Sequence, residues 1–130
     1  LPFRADWIIE CDDRQQSVSA LTQNLLHHHP RITAIIAHNA STTLGCYFGA
    51  LHSGRSLGED AVDSYFTQKM ALVGFNDDPQ RESYDSSLTF VSSEARDVGR
   101  RAAERMLQRL AQPQAEVQTL IVPPRLVRGG

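Results

Sequence analysis

Thr33-Ala-Ile-Ile-Ala-His-Asn39 is a mostly apolar run of strand length that ends in two polar residues. Met70-Ala-Leu-Val-Gly-Phe75 has the same character and is followed by turn-forming residues at positions 76–79. Continuous apolar runs of this length are typical of parallel strands that are covered on both faces. Leu88-Thr-Phe-Val91 alternates like a further strand, so these segments alone predict three strands.

Helical periodicity fills the intervals between these strands, because apolar residues recur there three or four positions apart. One predicted helix is capped by Asp12 or Asp13 and ends near His28, the next spans Ala40–His52, and the last is capped by Ser93 and ends near Gln112. The predicted apolar face of the first helix consists of Val18, Leu21 and Leu25. That of the second helix consists of Leu44, Tyr47, Phe48 and Leu51, and that of the last helix of Val98, Ala102, Met106 and Leu110. Gly45 and Gly49 leave room for a close neighbour on the second helix.

Less regular segments complete the pattern. Trp7–Glu10 is predicted as a short extended run, Val117–Val122 as a closing strand, and Arg55–Lys69 as a loop with room for one helical turn. The alternation of strands and helices predicts the α/β class, with a parallel, doubly wound sheet. A chain of 130 residues has the length of one domain.

Composition excludes several classes of protein. The hydrophobic share of 41% is typical of a globular domain, and a net charge of −2 is unlike the basic surface of a free-standing nucleic-acid-binding domain. No apolar run approaches the roughly 18 residues that span a membrane. Two cysteines are too few for a disulfide framework, which favours the cytoplasm. Because the chain starts at Leu1 without a signal-peptide pattern, we expect it to be a piece of a longer protein.

Polar residues follow two of the predicted strands, where ligands bind in open parallel sheets. His38-Asn39 follows the first strand, and Asn76-Asp77-Asp78 follows the next. The simpler interpretation is that Asn39 caps a helix and that Asn76 and Asp77 form a turn, and from the residues alone this interpretation is favoured. Asp77 and Asp78 would need further oxygen ligands, which the sequence does not identify, to bind Mg²⁺.

Other polar clusters have structural explanations. The neighbouring histidines at positions 27–29 point in different directions on a helix, and His38 and His52 are isolated in sequence. The arginines of the last helix alternate with acids, so the pairs Arg100–Glu104 and Asp97–Arg101 predict a solvated face. No catalytic motif is present, and Cys46 is predicted to be a small core residue.

The order of these segments resembles that of the LacI/GalR repressors, over nearly the whole chain. The matching segments are Thr33–Asn39 with Leu44-Gly45, Val73–Asp77, Leu88–Val91, Val98–Ala103 and Leu120–Gly129. Residues 58–69 are longer than the corresponding segment of most members. Together with Asp6-Trp7, Tyr65-Phe66 and Pro124-Arg-Leu126, that longer segment is similar to the maltose regulon repressor branch.

The resemblance implies a non-enzymatic, cytoplasmic transcription regulator without a cofactor. Such a protein has an amino-terminal helix-turn-helix and a two-subdomain core that is periplasmic-binding-protein-like. Residues 1–90 and 113–130 would belong to the carboxyl-terminal subdomain, incomplete here because its first strand and helix would lie outside the chain. Residues 91–112 would form a crossover helix that packs on the amino-terminal subdomain, and that subdomain would also lie outside the chain. The alternative is a periplasmic-type sugar-binding component of a transporter, and a metal-dependent α/β enzyme is a third class.

Site residues also follow from the resemblance. Asn39, Asn76, and Asp13 with Arg14 from the loop before the first helix would contact a small-molecule effector, with a sugar as the expected class. Two residues depart from the family pattern, because Ala40 replaces an aspartate and Asn76 replaces a sugar-binding aspartate. Binding of the homodimer partner is expected around Gln80, Arg81 and Tyr84. DNA would be bound only through the helix-turn-helix, and neither a metal site nor membrane association is expected.

Overall fold

The computed structural model describes residues 2–58, 63–76 and 88–129 of the chain. Within them, four strands form one sheet in the order β1 (Ala34–Ala37), β4 (Ala71–Phe75), β5 (Thr89–Ser92) and β6 (Arg125–Val127). β1, β4 and β5 are parallel, and β6 runs antiparallel to β5. The mostly parallel α/β sheet confirms the predicted fold class.

Three α-helices accompany this sheet in the described residues: α1 (Gln15–His28), α2 (Ala40–His52) and α3 (Ala95–Ala111). α1 and α2 cross closely, because a methyl group on Gly45 would lie 2.5 Å from Val18 Cβ and one on Gly49 2.6 Å from Thr22 Cβ. The prediction that these glycines permit a close approach is confirmed. α2 in turn packs on β1 and β4.

The predicted apolar faces of α1 and α2 are partly wrong. On α1 the buried residues are Val18, Thr22 and Leu26, because the helix contacts α2 through a face that includes Thr22. On α2 the small residues are buried, whereas Phe48 and Leu51 remain exposed. Helical spacing finds the large apolar side chains, but the close crossing of the two helices buries small residues instead.

The core lies between the helix pair and one face of the sheet. Its two buried clusters consist of Val18, Ala37, Cys46, Leu72, Leu88 and Phe90, and of Leu26, Ile32, Ala50 and Met70. Cys46 is a core residue, as predicted, and burial raises the pKa of its thiol. On the opposite face Ile36 and Phe75 are exposed, so the expectation of strands covered on both faces is wrong for the described part of the chain.

Four other predicted segments differ from the structure. Trp7–Glu10, which was predicted to be an extended run, begins with the last residue of a 3₁₀ helix (Ala5–Trp7), and residues 8–10 are exposed and lie outside the sheet. Residues 117–122 are irregular, and the antiparallel strand is 125–127, since these residues align with β5. Residues 55–69 contain β2 (Arg55–Ser56) and β3 (Gln68–Lys69), which pair with each other. The helix that Ser93 was expected to cap has Glu94 at its N-cap position, in a left-handed conformation.

α3 stands apart from the core, and in the described structure none of its residues is buried. Its charged pairs match the sequence prediction: Arg100 contacts Glu104 at 3.0 Å, and Arg101 contacts Asp97 at 3.2 Å. Its predicted apolar face is open, since Met106 is 62% exposed and Leu110 is 70% exposed. None of the helices in the described ranges combines the length and the apolar character of a membrane-spanning segment.

Candidate functional site

Polar residues follow the carboxyl ends of three parallel strands, which lie at the same edge of the sheet. Ala37 of β1 pairs with Gly74 of β4, so Asn39 and Asn76 each lie two residues beyond this pair. β5 ends at the same edge, where the Asn76 backbone N–H donates to the carbonyl of Val91 at 3.1 Å. The carboxyl ends of parallel strands are where ligands bind in open α/β sheets.

Asn39 has the capping role that the simpler interpretation predicts. Its Oδ1 accepts a hydrogen bond from the backbone N–H of Thr42 at 2.8 Å, and Thr42 Oγ1 accepts one from the Asn39 N–H at 3.1 Å. This capping box satisfies free N–H groups at the start of α2. It also fixes the orientation of the amide, because Oδ1 is held against the helix and Nδ2 points away from it.

Asp13 lies next to that amide nitrogen, although it is 26 residues away in sequence. Asn39 Nδ2 donates to Asp13 Oδ2 at 3.2 Å, and Ser41 Oγ donates to the Asp13 carbonyl at 2.6 Å. Asp13 has a φ of +61°, in the left-handed region that aspartate tolerates better than most residues. The structure thus brings together two of the predicted ligand-binding residues, Asp13 and Asn39.

Arg14 and Asn76 have different surroundings from the Asp13–Asn39 pair. The side chain of Arg14 is 83% exposed, and its Nε lies 3.6 Å from Asp12 Oδ2. The predicted cap of α1 is also different, since Arg14 itself occupies the N-cap position and makes no side-chain capping bond. Asn76 is buried at the end of β4. Asp77, Asp78, Gln80, Arg81 and Tyr84 lie outside the described residues.

His38 was predicted to be an isolated side chain, and the structure shows that it is not. Its Nε2 lies 3.1 Å from Asn39 Nδ2 and 3.4 Å from Asp13 Oδ1. The sequence places His38 next to Asn39 at the end of a strand, which was a usable signal, but the contact with Asp13 depends on the tertiary fold.

A Glu94–Arg125 ion pair at the end of β5 was missed entirely. Arg125 Nε donates to Glu94 Oε1 at 2.8 Å, and the Glu94 backbone N–H donates to Ser92 Oγ at 3.1 Å. The hydrogen bond from Arg125 is the main reason that the pKa of Glu94 lies below its usual value. The two side chains are 31 residues apart in sequence, so no local motif predicts the pair.

A groove of about 650 Å³ lies at the opposite edge of the sheet. It is lined by Gln23, Asn24, Leu26, His27, Pro30, His52, Ser53, Arg55 and Gln68. The buried Arg55 guanidinium donates to the carbonyls of Ile32 and Pro30, both at 2.9 Å. Because these bonds hold the turn before β1, we interpret Arg55 as structural. Among the described residues, no three His, Cys, Asp or Glu side chains are arranged to hold a metal ion.

The family model and the similar proteins identify the same family for this chain. The model of the family "periplasmic binding proteins and sugar binding domain of LacI family" matches residues 1–128. The maltose regulon regulatory protein MalI of Escherichia coli K12 is 36% identical over 127 residues, which cover 98% of this chain and 37% of MalI. The lactose operon repressor of Klebsiella pneumoniae is 32% identical over 106 residues, or 82% of this chain and 27% of that repressor.

The fold is also that of a solved structure. A LacI family transcriptional regulator from Enterococcus faecium, crystallised with bound ribose, matches with a TM-score of 0.68 at 23% identity. The match covers 88% of this chain and 39% of that chain. In each of these comparisons, the chain spans less than two fifths of the length of its relative.

Proposed function

This chain belongs to the family of periplasmic binding proteins and LacI-type sugar-binding domains, and from that premise we propose that it is the carboxyl-terminal part of the effector-binding core of a LacI-type transcriptional repressor. The named relatives above are regulators, which favours this function over a transport component. We assign the site a binding role and no reaction. As in such regulators, the protein would act in the cytoplasm.

The observation that carries the proposal is the polar cluster of Asp13, His38 and Asn39 at the carboxyl end of β1, with the buried Asn76 at the same end of the neighbouring strand β4. Hydroxyl-rich ligands need directed donors and acceptors, and this edge offers amide and carboxylate groups on a rigid sheet. Ribose is bound by the structurally similar regulator, so a sugar is the effector class that we propose here.

Uncovered apolar surfaces support the domain assignment. Ile36 and Phe75 are exposed on the outer face of the sheet, and Met106 and Leu110 on α3. Open apolar surfaces of this kind mark contacts with other parts of a protein or with a partner. We propose that residues 1–90 and 113–130 belong to one subdomain, and that 91–112 pack on a subdomain encoded elsewhere in the full-length protein.

Effector binding would be linked to DNA binding through subdomain closure. A ligand that binds one arrangement of the two subdomains more tightly shifts the population towards it, and this changes the affinity of an attached helix-turn-helix for DNA. The chain itself has a net charge of −2, so DNA contact is assigned to another segment. We further propose a homodimer, with Gln80, Arg81 and Tyr84 at its interface.

The proposal is tested in the full-length protein with Asn39→Ser, Asn76→Ala and the control Asn24→Ala. Serine keeps the helix cap but removes the amide donor, while Asn24 is an exposed residue of α1. Calorimetry with D-ribose, D-glucose and maltose should show binding of at least one sugar. Either site variant should weaken that binding by about 0.5–1.5 kcal/mol, with unchanged operator affinity. Equal sugar affinity in all four proteins would contradict these site assignments.

A further inference from the structure

The only two cysteines of the 130-residue chain come together in the fold. Cys46 is a buried member of the first core cluster, and Cys11, from the segment before α1, is half-buried and packs against that same cluster. Both thiols are free. Burial raises the pKa of the Cys46 thiol against a hydrogen bond from Thr22, and the nearby Cys11 raises it further, so the two thiols are within electrostatic range of each other.

The two thiols differ in their access to solvent. Cys46 is 8% exposed on α2, which packs on α1, β1 and β4, and its Sγ accepts a hydrogen bond from Thr22 Oγ1 at 3.6 Å. Cys11 is more accessible, and residues 12–16, which follow it, are exposed. Redox-sensing proteins combine a solvent-accessible cysteine with a second cysteine nearby. Cys11 is therefore the thiol that meets an oxidant, and Cys46 is placed to react with the product.

We propose that Cys11 and Cys46 form a reversible disulfide, which makes this part of the protein a redox switch. Hydrogen peroxide converts the Cys11 thiol to a sulfenic acid, as the O–O bond breaks and one water leaves. The Cys46 sulfur then attacks the sulfenic sulfur, so that the S–S bond forms and the hydroxyl leaves with the Cys46 proton as a second water. The two thiols lose two electrons, and a thiol reductant reverses the reaction by exchange. Cytoplasmic disulfides are usually transient and redox-sensing in this way.

The disulfide would move the segment that carries Asp13. Cys11 Sγ lies 3.9 Å from Asp13 Oδ1, and it must leave this contact to bond with Cys46. Because Cys46 is held in the core and the segment before α1 is exposed, the segment is the part that moves. This movement draws Asp13 away from Asn39 Nδ2, now at 3.2 Å, and from Ser41 Oγ, now at 2.6 Å. Oxidation would thereby weaken effector binding, a consequence that rests on the proposed function.

The experiment oxidises the full-length protein with hydrogen peroxide under native conditions and maps its cysteine-containing peptides by mass spectrometry. The expected product is a pair of peptides that is joined through Cys11 and Cys46, lacks two hydrogens and separates in dithiothreitol. Cys11→Ser should abolish the linkage. The matched control is the double variant Cys11→Ser with Gln16→Cys, whose new thiol is exposed on the side of α1 opposite the buried Val18. It should not link to Cys46.

Calorimetry with D-ribose, D-glucose and maltose then compares the reduced and the oxidised full-length protein. The oxidised form should bind the preferred sugar at least about tenfold more weakly, because the hydrogen bonds to the charged Asp13 are lost. Peroxide treatment should leave the sugar affinity of Cys11→Ser unchanged, since this variant has no disulfide to form.

The outcomes distinguish the switch from the proposed function. The switch is overturned if Cys11 stays a thiol, is found only as a sulfinic acid or is joined to a cysteine other than Cys46. A Cys11–Cys46 disulfide that leaves sugar affinity unchanged also overturns it and leaves sugar sensing in place. If none of the three sugars binds the reduced protein, the proposed sugar class is wrong, and the peptide map alone decides whether the disulfide forms.

Discussion

Replacing Gly74 by alanine should destabilise the fold through the residue that supports Asn39. A Cβ atom at position 74 would lie 2.5 Å from Thr43 Cγ2 and 2.8 Å from Thr43 Cβ, well inside normal contact. Thr43 is fully buried, and its Oγ1 donates to the Asn39 carbonyl at 2.6 Å, so it cannot rotate away without losing that bond. Overpacking of this kind costs about 1–3 kcal/mol.

Urea unfolding followed by circular dichroism measures the loss of stability in Gly74→Ala. Thr43→Ala removes the clashing methyl and hydroxyl groups, so the cost of the double variant should be at least about 0.5 kcal/mol less than the sum of the single costs. Gly99→Ala is the control, because in the described structure no atom outside its chain neighbours and the local backbone of α3 lies within 4 Å of the added methyl group. It should stabilise α3 by roughly 0.5–1 kcal/mol. Gly74→Ala with wild-type stability, or additive costs in the cycle, would refute the packing explanation.

Three other measurements follow from the structure. Arg55→Ala should lower the free energy of unfolding by roughly 1.5–3 kcal/mol, because two carbonyls lose a charged donor; a change below about 0.5 kcal/mol in urea unfolding would argue against this role. Arg125→Gln should raise the pKa of Glu94 towards its ordinary value in an NMR titration. A carboxyl group with a lowered pKa in the folded state stabilises the protein at pH values above that pKa, so wild type and variant should differ in stability there and converge in acid. Identical titrations of Glu94 in the two proteins would contradict the ion pair. Light scattering of this chain should show a dimer or larger species, because Met106 and Leu110 are exposed on α3; a constant monomer mass at high micromolar concentration would be the opposite result.

The sequence predicts the parallel strands well because their signal is local. Residues 33–37 and 70–75 are apolar over the length of a strand and end in polar residues, and the structure has β1 and β4 within these limits. The closing strand was misplaced because residues 117–122 are more apolar than 125–127. Pairing with β5 selects the later segment, and this choice depends on where the chain returns to the sheet. Apolar character alone does not contain that information.

Helix positions were predictable, but the buried faces were not. Thr22 is nearly fully buried and donates from Oγ1 to Cys46 Sγ at 3.6 Å. Thr22 is buried because α1 and α2 cross closely at Gly49, where the absence of a side chain lets the backbone of α2 lie against Thr22. The helical spacing of the large apolar residues instead predicts a buried face that includes Leu21 and Leu25 and leaves Thr22 out.

The candidate site shows why a helix cap and a ligand contact cannot be separated by sequence pattern. Asn39 was first explained as a cap, and the structure confirms the cap. The cap, however, is what directs Nδ2 towards Asp13 and His38, because holding Oδ1 on the Thr42 N–H leaves the amide one orientation. A serine or an aspartate would also cap α2 but would present no N–H donor at this edge. Asn39 therefore differs from these equally good caps in the N–H donor that it places at this edge of the sheet, next to Asp13.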